Sequence, residues 1–263
     1  MLLAISLVTE LRRENCCDDA DFPLASGQTL GASQLVSASA SRTVDAAFAV
    51  LNVPVVRTVE VQFAARFDHY GDFGSTTNPK IAIRWQPERS LLLRSSWGTG
   101  FRAPTLYDLF TPLSQGTTGN AFDDPLRCPT TSSPQDCERN FRLESGGNPN
   151  LGPEKSKQLN AGIVWAPISA ASVGADYWNI RKEHTIGFLS SDAIFANYDL
   201  YAPTRIFRGP GDPAFPNLPG PIDYVLAGQT NLGNLRTSGI DVDLSYRGPA
   251  SSGRIRRRHA GGG

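Results

Sequence analysis

Along most of the chain, apolar and polar residues take turns with the period of two expected of strands that bury one face. In residues 57–70, Val59, Val61, Phe63, Ala65 and Phe67 share one side, and Thr58, Glu60, Gln62, Arg66 and Asp68 share the other. Ile81, Ile83 and Trp85 oppose Lys80 and Arg84. Leu91, Leu93 and Trp97 oppose Arg94 and Ser96. Leu159, Ala161, Ile163 and Trp165 oppose Gln158 and Asn160. Ile240, Val242, Leu244 and Tyr246 oppose Asp241, Asp243 and Ser245. Val44, Ala46, Phe48 and Val50 repeat the pattern, as do Leu3, Ile5, Leu7 and Leu11 against Ser6, Glu10 and Arg12. The segment 171–184 alternates through Tyr177 and loses phase at Trp178 and Ile180, which predicts a bulge or an exit from the buried zone there.

The links between these segments alternate in length. NVPVV, QPERS and APISA are short, GDFGST is an intermediate turn, and long links run from about 15 to 41, 100 to 156 and 187 to 234. An up-and-down meander puts the short links at one end and the long ones at the other, the asymmetry of a transmembrane barrel. Trp85, Trp97 and Trp165 fall at predicted strand ends, with Phe67 and Tyr70 near another, where aromatic girdles meet the water–lipid boundaries. A soluble sandwich also alternates, but its strands run about 5–6 residues; these run longer. The expected fold is therefore all-β, an antiparallel up-and-down transmembrane β-barrel, incomplete, with about eight membrane-length strands. A self-contained small β-barrel or β-sandwich with a binding or adhesive role is the alternative. In the barrel register Glu60, Arg66 and Asp68 face the lumen; a one-residue slip would put them in lipid, where a midplane Arg costs about 2–4 kcal/mol.

Basic and acidic residues balance at 25 each in the 263 residues, so no bulk field favours nucleic acid as a partner. No apolar run is long enough for a spanning helix. The opening MLLAISLVTELRREN lacks the basic start and small-residue site of a signal peptide and reads as a strand. Neither G-x-S-x-G nor HExxH is present, and His69, His184 and His259 are scattered away from any zinc spacing. Asp241 and Asp243 could act as acid and base, but lumenal polar residues are the ordinary reading. No enzyme and no cofactor is expected.

The stretch WGTGFRAPTLYDLF carries Gly98-x-Gly100-x-x-Ala103, a spacing reminiscent of a dinucleotide fold. Its context is wrong. Arg94, Ser95 and Ser96 interrupt the preceding apolar run, and the helix after it stops at Thr111-Pro112. The glycines are expected to end a strand, with Pro104 opening a short helical turn at a barrel rim.

Residues 66–110 closely resemble the barrel of TonB-dependent outer-membrane receptors. The matching positions are Arg66 and Asp68, then Asn78, Pro79 and Lys80, then Gly98, Gly100, Phe101, Arg102, Ala103 and Pro104. Asn148, Pro149, Leu151, Pro153 and Glu154 resemble a second family motif, and Gly239 and Asp241 a third. The resemblance covers about 42–247 of a partial barrel spanning 1–247; it implies an outer-membrane location and uptake of scarce ligands such as ferric siderophores, cobalamin or oligosaccharides. It implies three kinds of partner: outer-membrane lipid, a small-molecule ligand at the outer loops, and the TonB complex acting through a plug. No plug-like segment or TonB-contacting segment is recognised here. The tail 248–263 is expected to be disordered or out of frame.

Cys128 and Cys137 lie in the largest predicted outer loop, where an oxidising space favours a disulfide. Cys16 and Cys17 are adjacent and carry no assigned role. SDAIFANYDLY reads as a short amphipathic helix whose aromatics, with Phe207, could line a ligand surface or simply pack the loop.

Overall fold

Alternating side chains dictate a sheet with two unlike faces, and the computed structural model, which describes residues 3–26, 28, 36–250 and 253–261, contains one. In chain order the strands are β1 (Ala4–Asp18), β2 (Ala38–Val56), β3 (Val59–Tyr70), β4 (Gly74–Glu88), β5 (Leu91–Arg102), β6 (Ser114–Thr117) and β7 (Arg142–Gly146). There follow β8 (Glu154–Ile168), β9 (Ala171–Glu183), β10 (Ile186–Leu189), β11 (Ile206–Arg208), β12 (Ile222–Asn231), β13 (Leu235–Ala250) and β14 (Gly253–Gly261). The short helices are α1 (Phe22–Ala25), α2 (Leu106–Phe110), α3 (Cys128–Thr131), α4 (Ser191–Ala196) and α5 (Tyr198–Arg205).

Among the described residues, nine strands form one sheet in the order β1-β2-β3-β4-β5-β8-β9-β13-β14, each antiparallel to its neighbour. This is one more long strand than the sequence predicted. The addition is β14, whose backbone pairs with β13 within the tail that the sequence reading expected to be disordered or out of frame; the free edge of β13 supplies a partner that composition does not reveal.

The two faces follow the register. Ile83, Trp85, Leu93, Ile163, Tyr177 and Ile240 share the apolar face. Glu60, Gln62, Arg84, Arg94, Asn160 and Asp176 share the other. The apolar face is uncovered: Phe63 is 46 %, Ile83 44 % and Trp165 53 % exposed. A soluble sandwich would bury such a wall under a second sheet, whereas hydrocarbon is a sufficient solvent for it.

Several local expectations are corrected. The short links are tighter than predicted: NVPVV lies within β2, and the turns are the residue pairs 57–58, 89–90 and 169–170. Each follows a register shift, at Pro54/Val56, Trp85/Glu88 and Trp165/Ile168, where the extra residue re-aims the chain into the turn. Gly98 and Gly100 do not end a strand, because β5 runs on to Arg102 in register with β8. Gly98 instead makes room, since a Cβ there would lie 3.2 Å from the Lys80 stem on β4. Trp97 is accordingly mid-strand. Tyr70 is buried and stacks on Phe73 at 4.6 Å rather than joining a girdle. In β2 the phase is inverted: Val44, Ala46 and Phe48 pair with Tyr70, Asp68 and Arg66, on the polar face. Val44 and Ala46 are buried there, and α2 packs on β1 and β2.

No bulge occurs at Trp178 either, since β9 stays in register with both neighbours there. Trp178 points to the polar face because Gly239 receives it; a Cβ on Gly239 would come within 2.6 Å of the indole. Gly239→Val is expected to expel the indole and cost about 1–3 kcal/mol as overpacking. Unfolding in detergent followed by tryptophan fluorescence measures it, and an unchanged midpoint would contradict this packing.

Candidate functional site

At the end away from the two-residue turns, the long links 103–153 and 184–234 fold into one module. β7 runs parallel to β12, β6 pairs with β7, and β10 and β11 each pair with β12. Pairing between strands from two different links joins the links by main-chain hydrogen bonds. The module also holds the buried apolar core, made of Phe141, Leu189, Ile194, Ile206, Ile222 and Val225. Phe195 stacks between Phe122 at 4.2 Å and Phe141 at 5.6 Å. The segment SDAIFANYDLY thus forms two helices, α4 and α5, broken at Asn197, and Phe195 packs inward. Phe207 differs: it stacks on Tyr224 at 4.5 Å, with the Arg142 guanidinium 5.1 Å above the tyrosine ring, near the surface.

Two arginines lock the module. Arg127 is buried, donates to Asp136 at 3.0 Å within its own link, and reaches Asp212 at 3.0 Å and the Pro219 carbonyl at 2.9 Å in the other. The Ala214 backbone N–H, with Arg127, holds the Asp212 carboxyl below the ordinary aspartate range. Arg208 grips the fully buried Asp124 through two bonds, at 2.7 and 2.8 Å, and also donates to Gly220 O and Tyr198 Oη. The Cys128–Cys137 disulfide lies beside the first lock, one residue from Arg127 and one from Asp136. Replacing both cysteines by serine is expected to weaken the module by about 2–3 kcal/mol through the enlarged unfolded ensemble. Amide hydrogen exchange over 118–141 measures this; unchanged protection would refute it.

The positions that resemble family motifs divide between the roots of these links and the wall. Arg102 pairs with Glu154 at 2.8 Å, and Glu154 also accepts the Ile186 N–H at 2.8 Å, tying β5, β8 and β10. The Pro104 carbonyl accepts from Arg42 at 2.7 Å. Asn148 donates to Gln229 O at 3.1 Å, and Leu151 is buried beside the same junction. Ala103 leads into α2, which is closed by a reciprocal Thr105–Asp108 cap; Pro149 and Pro153 flank Leu151. Phe101 meets Tyr70 edge-on at 5.7 Å. On the wall, Arg66 pairs with Asp68 at 2.8 Å and Glu10 at 3.1 Å. Asn78 accepts from Thr99, Pro79 faces Ala65, and Lys80 and Asp241 line the polar groove. Gly100 passes Ser156 with no room to spare. These positions therefore shape the wall and anchor the loops, and they do not converge on one site.

Sequence reasoning missed Asp124, Arg127, Asp136, Arg208 and Asp212, which hold the module together. One signal was present: Arg127 and Asp136 each precede a cysteine of the pair. It also missed Arg42, whose buried guanidinium joins Glu14 on β1, Asp72 in the turn between β3 and β4, and the Pro104 carbonyl in the link after β5.

There are two concavities, one on the wall and one at the module. A groove of about 720 Å³ on the polar wall is crossed by the Arg94–Asp176 ion pair, which passes over Gly162, where a side chain would collide with the carboxylate. A smaller cleft of about 350 Å³ between the link roots is bordered by Tyr107, Phe188, Ser114, Ser145 and Gln229.

A twisted meander with an apolar exterior, a charged interior, two-residue turns at one end and folded long loops at the other defines part of the wall of a transmembrane barrel. The family model described as TonB dependent receptor-like, beta-barrel matches residues 12–259, and the chain belongs to that family. Solved structures agree in fold. The siderophore receptor PirA from Acinetobacter baumannii superposes with TM-score 0.66 at 15 % identity, over 99 % of this chain and 34 % of that one. A variant of the ferric enterobactin receptor PfeA from Pseudomonas aeruginosa gives 0.69 at 16 %, over 99 % and 32 %. The hemophore receptor HasR from Serratia marcescens, in complex with HasA and heme, gives 0.53 at 15 %, over 99 % and 40 %. The chain thus spans about a third of the length of the receptors it matches. No curated protein sequence matches it.

Proposed function

We propose that this chain forms part of the wall and outer gate of an outer-membrane uptake receptor, and that its ligand is a ferric siderophore. The observation that carries the reading is the fusion of two long links into a single folded module above the polar wall. Loops with their own core and ion-pair locks present a fixed surface, which lowers the ordering cost of binding. The Phe207–Tyr224–Arg142 stack offers flat rings and a cation to an aromatic, anionic iron chelate. Energy would enter from the TonB complex through a plug. The likeness to siderophore receptors supports the ligand class, and the uncovered apolar face supports the location and disfavours a soluble sandwich.

Calorimetry on the detergent-folded chain tests the ligand. Ferric enterobactin should bind, and Arg142→Ala with Tyr224→Ala should weaken it about tenfold or more. Binding of heme or cobalamin in place of the iron chelate would overturn the ligand assignment. Recovery of a stable monomer without detergent would overturn the membrane reading.

A further inference from the structure

The apolar face carries a row of cations on β8, β9 and β13, apart from Arg13, which stands alone on that face of β1. Lys157 on β8 pairs across the sheet with Arg181 on β9, and Arg181 with Arg236 on β13. By strand alternation these three lie on the side of Leu159, Ile163, Tyr177 and Ile240, the face proposed to meet lipid. Lys155 stands one step further toward the loops, opposite Glu183. At the level of the row, β5 supplies Thr99, and continuing the Lys80–Gly98 register reaches Pro79 on β4 and Ala65 on β3. Four cations thus cluster on three adjacent strands, in a chain whose total charge is zero.

Its charge is not balanced from within. Lys157 contacts Glu183 at 3.0 Å. Among the described residues, Lys155, Arg181 and Arg236 make no ion pair, and all are exposed. Like charges directly opposite one another destabilise a sheet. The row spans two ladder steps, about 10 Å.

Its height is defined by what lies below. From Lys157 the same face reads Leu159, Ala161, Ile163 and Trp165; from Arg236 it reads Ser238, Ile240, Val242, Leu244 and Tyr246. Eight to ten residues at about 3.3 Å each, tilted as barrel strands are, cover roughly 20–25 Å, the height of a hydrocarbon band. The cations thus sit at the upper boundary and the aromatics at the lower one. In the hydrocarbon a cation would cost about 2–4 kcal/mol, falling to near 0–1 at the interface.

We propose that Lys155, Lys157, Arg181 and Arg236 form a docking surface for the phosphorylated headgroup of an outer-leaflet glycolipid. Acyl chains pack on Leu159, Ile163 and Tyr177 while headgroup phosphates lie across the row. Arginine forks suit phosphate oxygens, and the lysines add mobile charge at the edge. The proposal rests on the outer-membrane reading, since it needs the apolar face to meet lipid.

The test folds the chain into phosphatidylcholine vesicles with and without diphosphorylated lipid A, and into vesicles containing the unphosphorylated lipid. Heat-modifiable migration on gels reports insertion, and native mass spectrometry of the extracted protein reports retained lipid. Lipid A should be retained in preference to both other lipids. Lys157→Gln, Arg181→Gln and Arg236→Gln together should reduce its retention about tenfold or more while insertion persists. High salt should weaken retention, and inorganic phosphate at equal ionic strength should compete no better than chloride. Equal retention of the unphosphorylated lipid, or an equal loss in the control variant Arg57→Gln with Arg84→Gln and Arg89→Gln, would overturn the proposal. Failure of the wild-type chain to insert would instead overturn the membrane reading beneath it.

Discussion

Asp124→Ala is expected to open the loop module while leaving the long sheet intact. The Asp124 carboxylate is fully buried and takes both arms of the Arg208 guanidinium. Removing it leaves a largely buried cation with only Tyr198 Oη and the Gly220 carbonyl, two neutral partners. Breaking one side of a buried ion pair costs about 3–5 kcal/mol, because the remaining charge stays desolvated. The same carboxylate accepts the Leu126 N–H, so the turn into α3 loosens as well. Hydrogen exchange should rise in both 118–141 and 184–234, since β11, where Arg208 lies, is the edge partner of β12. Protection in β3, β4 and β5 should not change. Asp124→Asn keeps the shape and one acceptor and should fall between the two. If only the link bearing the substitution opens, the links are not one cooperative unit and the premise of a fixed ligand surface fails. Siderophore affinity should fall with the module's stability, because a disordered loop must be re-ordered on binding.

What was legible in the sequence, and what was not, follows from how local each determinant is. The wall could be read because period-two alternation writes its face on every strand: Val59 to Phe67 needs no knowledge of its neighbours. The asymmetric links were legible because link length is a property of the chain. Trp178 and Val44 were misjudged for one reason. Each has apolar character but faces the polar side, and what it meets there is not local: Gly239 receives the one, and α2 packs on the strand of the other. Gly98 and Gly100 looked like strand ends because a glycine signals a turn more often than a close approach; only the register with β4 and β8 reveals the approach. The loop module was the least legible part. Its sheet joins Arg142–Gly146 to Ile222–Asn231, about eighty positions apart, in irregular sequence without periodicity. Arg127 and Arg208 acquire meaning only once those links meet.

Ile83→Arg and its neighbour Ala82→Arg place the same charge one residue apart and should give opposite results. Ile83 lies in the row Val61, Ile83, Ser95, Ala161, Tyr177 and Ile240, near the middle of the apolar face. Ala82 points into the polar groove, opposite Gln62 and Ser96, where there is volume and water for a long cation. An arginine at position 83 should cost about 2–4 kcal/mol of insertion free energy, or roughly 30- to 700-fold in the folding equilibrium. At position 82 the cost should stay within about 0.5 kcal/mol, as for other substitutions away from a packed core. Equilibrium unfolding in phosphatidylcholine vesicles, followed by tryptophan fluorescence and heat-modifiable migration, separates the two. Because side chains alternate, no common defect such as lost strand propensity can produce the difference. Equal penalties at both positions would mean that neither face meets hydrocarbon. Reversed penalties would mean that the sheet is inside out, and the cation row of Lys157, Arg181 and Arg236 would then line a lumen.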